Sequence, residues 1–225
     1  MNLYRSLNTF ALISLVSAAF ASSAFGGLFD KDEITRKAKK YRLVPVKIAV
    51  PGISVDLQYA KTSASGKPLY KSGMVCLIND STGKKLRIAQ AILKKQGYSI
   101  KVWDAWRPPE AHIALWNAVK DPKYVVPPSR GLSWHCYGVS VDITLVTSDG
   151  KALKMPTEYD NFTNRAASNY VGGDANIAKH VQALQAAMRE AGFSTIRSEW
   201  WHFDDHGSRS RIRKATAADL GISMP

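Results

Sequence analysis

Two short segments, far apart in the chain, carry side chains that could do chemistry together: Ser133-Trp-His-Cys-Tyr-Gly-Val-Ser-Val-Asp142 and Glu199-Trp-Trp-His202. They offer two imidazoles, His135 and His202, and two carboxylates, Asp142 and Glu199. Two imidazoles and one carboxylate leave a fourth position open on a tetrahedral ion, the arrangement of a hydrolytic zinc site. The spare acid, Glu199, lies close to His202 in sequence and is placed to act as the base for a bound water. Ligand type alone does not separate zinc from other divalent ions. His206, four residues after His202, competes as a ligand. His112 and His180 fall on predicted helices without acidic partners at ligand spacing, and read as structural.

Periodicity shows which elements must position these groups. Val139-Ser-Val-Asp-Ile-Thr-Leu145 alternates as a half-buried strand does. Val139, Val141, Ile143 and Leu145 take one face; Ser140, Asp142 and Thr144 take the other. On an unbroken strand His135 and Asp142 would face opposite sides, so Tyr137-Gly138 must supply a turn or bulge. Positions 199 and 202 pose the same problem and need a twist, a bulge or a helical turn. Residues 44–50 and 53–59 also alternate and predict two strands, with a loop at 61–67. Residues 79–82 offer a cap for a helix over about 84–96, with Leu86, Ala89, Ile92 and Leu93 inward and Gly97 as its stop. A strand is expected over 98–103. Pro108-Pro109 then opens a helix with the stripe Leu115, Trp116 and Val119. A last helix runs from near Asp174 to before Gly192 on Ile177, Val181, Leu184 and Met188, and a closing strand covers 193–203. Strands and helices do not alternate strictly. The expected fold is therefore α+β, a single domain with an antiparallel sheet flanked by helices and the metal site at one face of the sheet.

The N-terminus bounds the compartment. Arg5 precedes an apolar run, Phe10-Ala-Leu-Ile-Ser-Leu-Val-Ser-Ala-Ala-Phe20, and small residues follow it. This is the layout of a secretory signal peptide over residues 1–24, cleaved near 21–24. The run is short of the about 20 apolar residues that span a bilayer, so no stable membrane anchor is expected. No Cys near the cleavage region suggests a lipid anchor. A periplasmic or secreted protein follows. Residues 25–43 read as a loose arm, 44–206 as the catalytic domain and 207–225 as a basic tail. The net charge of +13 favours anionic surfaces. Nucleic acid is not an expected partner of an exported protein, and a solvated basic face accounts for most of the charge. Cys76 and Cys136 do not make a disulfide-built scaffold, and whether they pair stays open. Cys136 adjoins His135, and adjacent side chains rarely point at one ion.

With these residues in view, the chain resembles the D-alanyl-D-alanine dipeptidases, zinc enzymes of the vancomycin-resistance type. Residues 133–142 are similar to their Ser-x-His-x-x-Gly-x-x-x-Asp signature, and Glu199-Trp-Trp-His-Phe203 to their Glu-x-x-His element. Val55-Asp-Leu-Gln-Tyr-Ala60, Gly66-Lys-Pro-Leu-Tyr70, Asp104-Ala-Trp-Arg-Pro108 and Met155-Pro-Thr-Glu-Tyr-Asp160 resemble further elements in the same order. The resemblance implies one Zn²⁺ per chain held by His135, Asp142 and His202. It implies Glu199 as general base and then acid, and Arg107 as stabiliser of the oxyanion. It also implies Ser133 as a substrate contact and Asp160 as the receiver of the substrate ammonium. Pro156 stands where the family usually has Gly, and residues 61–65 lack the usual Asn-Phe pair; both departures touch the substrate side. The function implied is hydrolysis of D-alanyl-D-alanine in the cell envelope, with the dipeptide and peptidoglycan fragments as partners. A zinc D,D-carboxypeptidase trimming stem peptides is the alternative of the same class. A non-catalytic, metal-stabilised cell-wall-binding module is the alternative of another.

Overall fold

The computed structural model describes residues 31–61, 66–211 and 213–225. The expected signal peptide, the first residues of the arm and the loop at 62–65 lie outside them. In chain order the elements are α1 (residues 31–38), β1 (Leu43–Pro45), α2 (Val46–Ala49), β2 (Ser54–Val55), β3 (Leu77–Asn79), α3 (Asp80–Lys94) and β4 (Tyr98–Asp104). They continue with α4 (Pro109–Val119), β5 (Ser140–Thr147), α5 (Ala175–Glu190), β6 (Ser194–Thr195), β7 (His202–Asp204) and α6 (Ala217–Leu220).

The main sheet has the order β2-β4-β5-β7-β6. It is antiparallel except at one edge, where β2 runs parallel to β4. The stripes of α3 (Leu86, Ala89, Leu93) and α5 (Leu184, Ala187, Met188) pack with Ile100, Val102, Val141, Ile143, Leu145 and Phe203 in one core. Side chains alternate along a strand, so Ser140, Asp142 and Thr144 occupy the opposite face of β5, as expected. Asn79 caps α3 by accepting from Ser81 N at 3.0 Å, and Asp174 caps α5.

Five expectations need correction. Residues 44–50 are not one strand: β1 pairs with β3 in a separate ribbon and α2 follows at once. Their alternation also satisfies helical spacing, since Val46 and Val50 are buried while Ile48 between them is 64% exposed. Residues 53–59 form a strand only at β2, and Tyr59 sits on a 3-10 turn, Gln58–Ala60. The closing strand over 193–203 is broken into β6 and β7, which pair with each other around a loop at 196–201. The arm is not loose over 31–38, and the tail is more than a charged extension. Ala38, Leu43, Leu77, Trp106, Ala215 and Leu220 form a second buried cluster that docks both ends of the described chain. Thr216 and Asp219 form the capping box of α6.

Candidate active site and metal centre

The two geometric problems posed by the sequence are solved by two breaks in extended structure. His135 lies on a 3-10 turn, Trp134–Tyr137, which Gly138 closes in the left-handed region at φ 69°. A Cβ on Gly138 would come within 2.6 Å of Leu43 Cδ2 and 3.0 Å of the Asn79 backbone nitrogen. Only glycine allows this turn, and the turn swings His135 round to meet Asp142 on β5. Glu199 lies in the 196–201 loop, and His202 opens β7. The loop is pinned by its tryptophans. Trp200 N donates to Ala166 O at 2.8 Å, and Trp201 O accepts from Ile143 N at 3.0 Å. Trp200 Nε1 donates to Thr157 Oγ1 at 3.0 Å. Both indoles are fully buried, and truncating either would cost about 3–5 kcal/mol.

His135 Nε2 lies 3.3 Å from Asp142 Oδ1, and His202 Nδ1 lies 2.9 Å from the same oxygen. The two imidazole nitrogens are 3.2 Å apart. Ligand atoms of these three residues all fall within 4.8 Å of one another, so the group could hold a metal ion. The far side of each ring supports this fit. His135 Nδ1 faces Ala105 O at 2.7 Å. A carbonyl only accepts, so Nδ1 is the donor there, and Nε2 is the ring atom turned toward Asp142 and His202. His202 Nε2 meets Asp204 Oδ1 at 3.0 Å, and Ser140 Oγ donates to that same oxygen. Such outer partners orient imidazole ligands. Burial alone would strip a proton from His202, yet its hydrogen bonds to Asp142 and Asp204 hold the imidazole well above its ordinary range. That proton now joins the two groups an ion would join.

The turn after β4 supplies three functional pieces within four residues. Asp104 receives Arg107 Nε at 2.9 Å and Nη2 at 2.8 Å, and Tyr70 Oη donates to it at 2.7 Å. Ala105 supplies the carbonyl behind His135. Arg107, only 6% exposed, lies 3.6 Å through Nη2 from Asp142 Oδ2 and stacks over the Tyr59 ring at 4.8 Å. The ion pair with Asp104 therefore exists, but it is buried and aims the guanidinium into the site. Glu199 Oε2 is 4.0 Å from His202 Nδ1. Burial pushes its carboxyl up to about 7, with His202 pulling the other way and Asp142 adding to the rise.

One cavity of about 250 Å³ is lined by His135, Asp142, His202, Glu199, Arg107, Ser133 and Asp160 together. Ser133 Oγ also accepts from His135 N at 3.3 Å, which caps the turn. Asp160 sits in the left-handed region at φ 55°. Its Oδ1 receives Tyr59 Oη at 3.4 Å, while Oδ2 is buried with no hydrogen-bond partner among the described residues. His206 is outside the metal group and lies exposed against Trp134 at 4.3 Å between ring centroids. Cys136 is a buried free thiol pushed up to about 12 by burial, and Cys76 is also free. Sequence reasoning missed Asp204, and also Tyr159, whose Oη donates to Asp142 Oδ2 at 2.7 Å. Asp204 had a signal, since a residue two places after His202 on a strand shares its face. Tyr159 had none, because its loop is brought to β5 by tertiary packing.

Two imidazoles and a carboxylate converging on one point, with a buried carboxylate and a guanidinium beside them, define a metallopeptidase centre. The family model described as D-ala-D-ala dipeptidase, of the M15 peptidases, matches residues 39–216, and the chain belongs to that family. A D-alanyl-D-alanine dipeptidase of Escherichia coli is 31% identical over 163 residues, 72% of this chain and 83% of the relative. Those of Enterococcus faecium and Enterococcus faecalis are 27% and 26% identical, each over 68% of this chain and 86% and 85% of their own lengths.

Proposed function

We propose that this chain hydrolyses D-alanyl-D-alanine with a zinc ion held by His135, Asp142 and His202, and that it works in the cell envelope. Zinc, when bound, polarises the carbonyl and lowers the pKa of water to about 7. Glu199 takes the proton of the attacking water and passes it to the departing amine. In the metal-free fold burial raises this carboxyl, the direction that suits a group which must both take and return a proton. Arg107, fixed by Asp104, faces the oxygen that gathers charge in the transition state. Asp160 accepts the ammonium of the free dipeptide.

The observation that carries the choice of a free dipeptide is the buried, unpartnered Oδ2 of Asp160 in the same cavity as the ligand group. Such an oxygen is costly unless a donor arrives, and a free amino terminus brings one. A stem peptide, acylated at that nitrogen, brings no charge. The test is amine release by the zinc-loaded protein from D-Ala-D-Ala, with N-acetyl-D-Ala-D-Ala and L-Ala-L-Ala beside it. Cleavage of the free D,D-dipeptide alone is expected. Preference for the acylated peptide would make the protein a carboxypeptidase, and cleavage of none would leave a binding module. The envelope location rests on the N-terminal sequence. Full-length, uncleaved protein in the cytoplasmic fraction would overturn it.

A further inference from the structure

Once the catalytic groups have taken their partners, two ionisable groups of opposite sign in the cavity have no ion-pair partner among the described residues. One is Asp160. The other is Lys123, on the loop after α4. Arg107 and Lys123 are the arginine and lysine side chains that line the cavity, and Arg107 is committed to Asp104. Lys123 makes no ion pair among the described residues. Its Nζ rests 4.8 Å from the centroid of the Tyr124 ring.

The loop that carries Lys123 is built. Lys120 ends α4 in the left-handed region at φ 50°. Asp121 then closes an Asx turn, its Oδ1 accepting from Lys123 N at 2.8 Å and its carbonyl from Val125 N at 3.0 Å. His112 Nε2 meets Val126 O at 3.0 Å and ties the far end of the loop to α4. Tyr124 stacks on Phe162 with centroids 4.5 Å apart and planes at 22°. Phe162 N in turn donates to Asp160 O at 3.0 Å. The lysine loop and the Asp160 loop are thus clamped together at one cavity.

We infer that Lys123 receives the terminal carboxylate of the dipeptide and so sets specificity for a substrate with a free C-terminus. A free dipeptide is a zwitterion about 7 Å between its charged ends. A cavity that closes over it must pair both charges, and Asp160 and Lys123 are the ionisable groups of the right signs without an ion-pair partner among the described residues. The four-carbon stem of lysine lets the ammonium leave the Tyr124 face and reach over the cavity. The inference deepens the dipeptidase reading above and rests on it.

The test compares D-Ala-D-Ala with D-Ala-D-alaninamide, which lacks the carboxylate, on wild type, Lys123→Met and Lys123→Arg. Lys123→Met is expected to raise KM for the dipeptide about 10-fold with kcat within about 2-fold. It is expected to leave the amide unaffected, so the preference for the acid collapses; Lys123→Arg retains it. Lys123 is exposed at the rim, so the variants fold, and a thermal melt checks this. An unchanged dipeptide KM, or an equal rise for both substrates, overturns the assignment. Wild-type protein that cleaves neither substrate overturns the dipeptidase reading itself, and the two failures are told apart in one experiment.

Discussion

On the metal side of the cavity, His135 is tied to Ala105, His202 to Asp204, Arg107 to Asp104 and Asp142 to Tyr159. On the proposed substrate side, among the described residues, Asp160 Oδ2 is buried without a hydrogen-bond partner and Lys123 makes no ion pair. The contrast separates two kinds of readiness. The metal side is held in working geometry by hydrogen bonds that belong to the fold. The substrate side keeps its polar atoms uncompensated, so the bond is made when the ligand comes. A protein gives up stability in the second region and not in the first. Substitutions on the two sides should therefore fail in different ways.

The largest effect is expected at Glu199. Glu199→Gln keeps the volume and removes the base, so kcat should fall about 10³-fold while zinc stoichiometry stays at the wild-type level. Metal analysis of the purified variant beside its turnover rate checks this. Loss of metal together with activity would move Glu199 into the ligand set. A smaller effect is expected at Asp204, whose contact with the site runs through His202. Asp204→Ala frees the far side of that imidazole and should weaken zinc binding by about 10- to 100-fold, read by competition with a chelator. The metal-free melting curve should move little by comparison. If affinity is unchanged, Asp204 is merely a satisfied acid beside Ser140.

The same contrast divides what the sequence could tell. His135, Asp142, His202 and Glu199 could be picked out as candidates because metal and proton chemistry restricts them to a few residue types at close spacing, and Arg107 through the resemblance; the structure brings all five to one cavity. The helices α3 and α5 were legible because their apolar stripes and caps are local. What stayed hidden depends on contacts remote in the chain. The alternation over 44–50 fits a strand and a helical turn equally, and burial of Val46 and Val50 decides it. The closing strand breaks at 196–201 because Trp200 and Trp201 are drawn toward Ala166 and β5. The arm and tail looked polar, yet Ala38, Ala215 and Leu220 are buried in one cluster, with Ile34, Tyr41 and Ile222 packed against it. Gly138 could be named as a turn, but not why only glycine fits. That reason is the approach of Leu43 and Asn79, which lie far upstream in the chain.

The subtlest prediction concerns Asp160 and joins stability to function. Burial, reinforced by Asp142 and Glu199 and opposed by Arg107, pushes its carboxyl from 3.8 up to about 8 in the metal-free fold. A carboxyl raised on folding binds its proton more tightly in the native state. Its contribution is fully present below pH 3.8 and is lost as pH rises through about 8. Asp160→Asn mimics the protonated form at every pH. Metal-free wild type and variant should therefore melt together near pH 4, and the variant should gain as pH rises, by on the order of 1 kcal/mol at pH 8. The same substitution should raise KM for free D-Ala-D-Ala, because an amide pairs an ammonium poorly, and N-acetyl-D-Ala-D-Ala should stay uncleaved. Melting curves at the two pH values and KM for the free dipeptide check both halves. A variant no more stable at pH 8 than wild type would mean that the carboxylate is already compensated in the free protein. The contrast between the two sides of the cavity would then not hold.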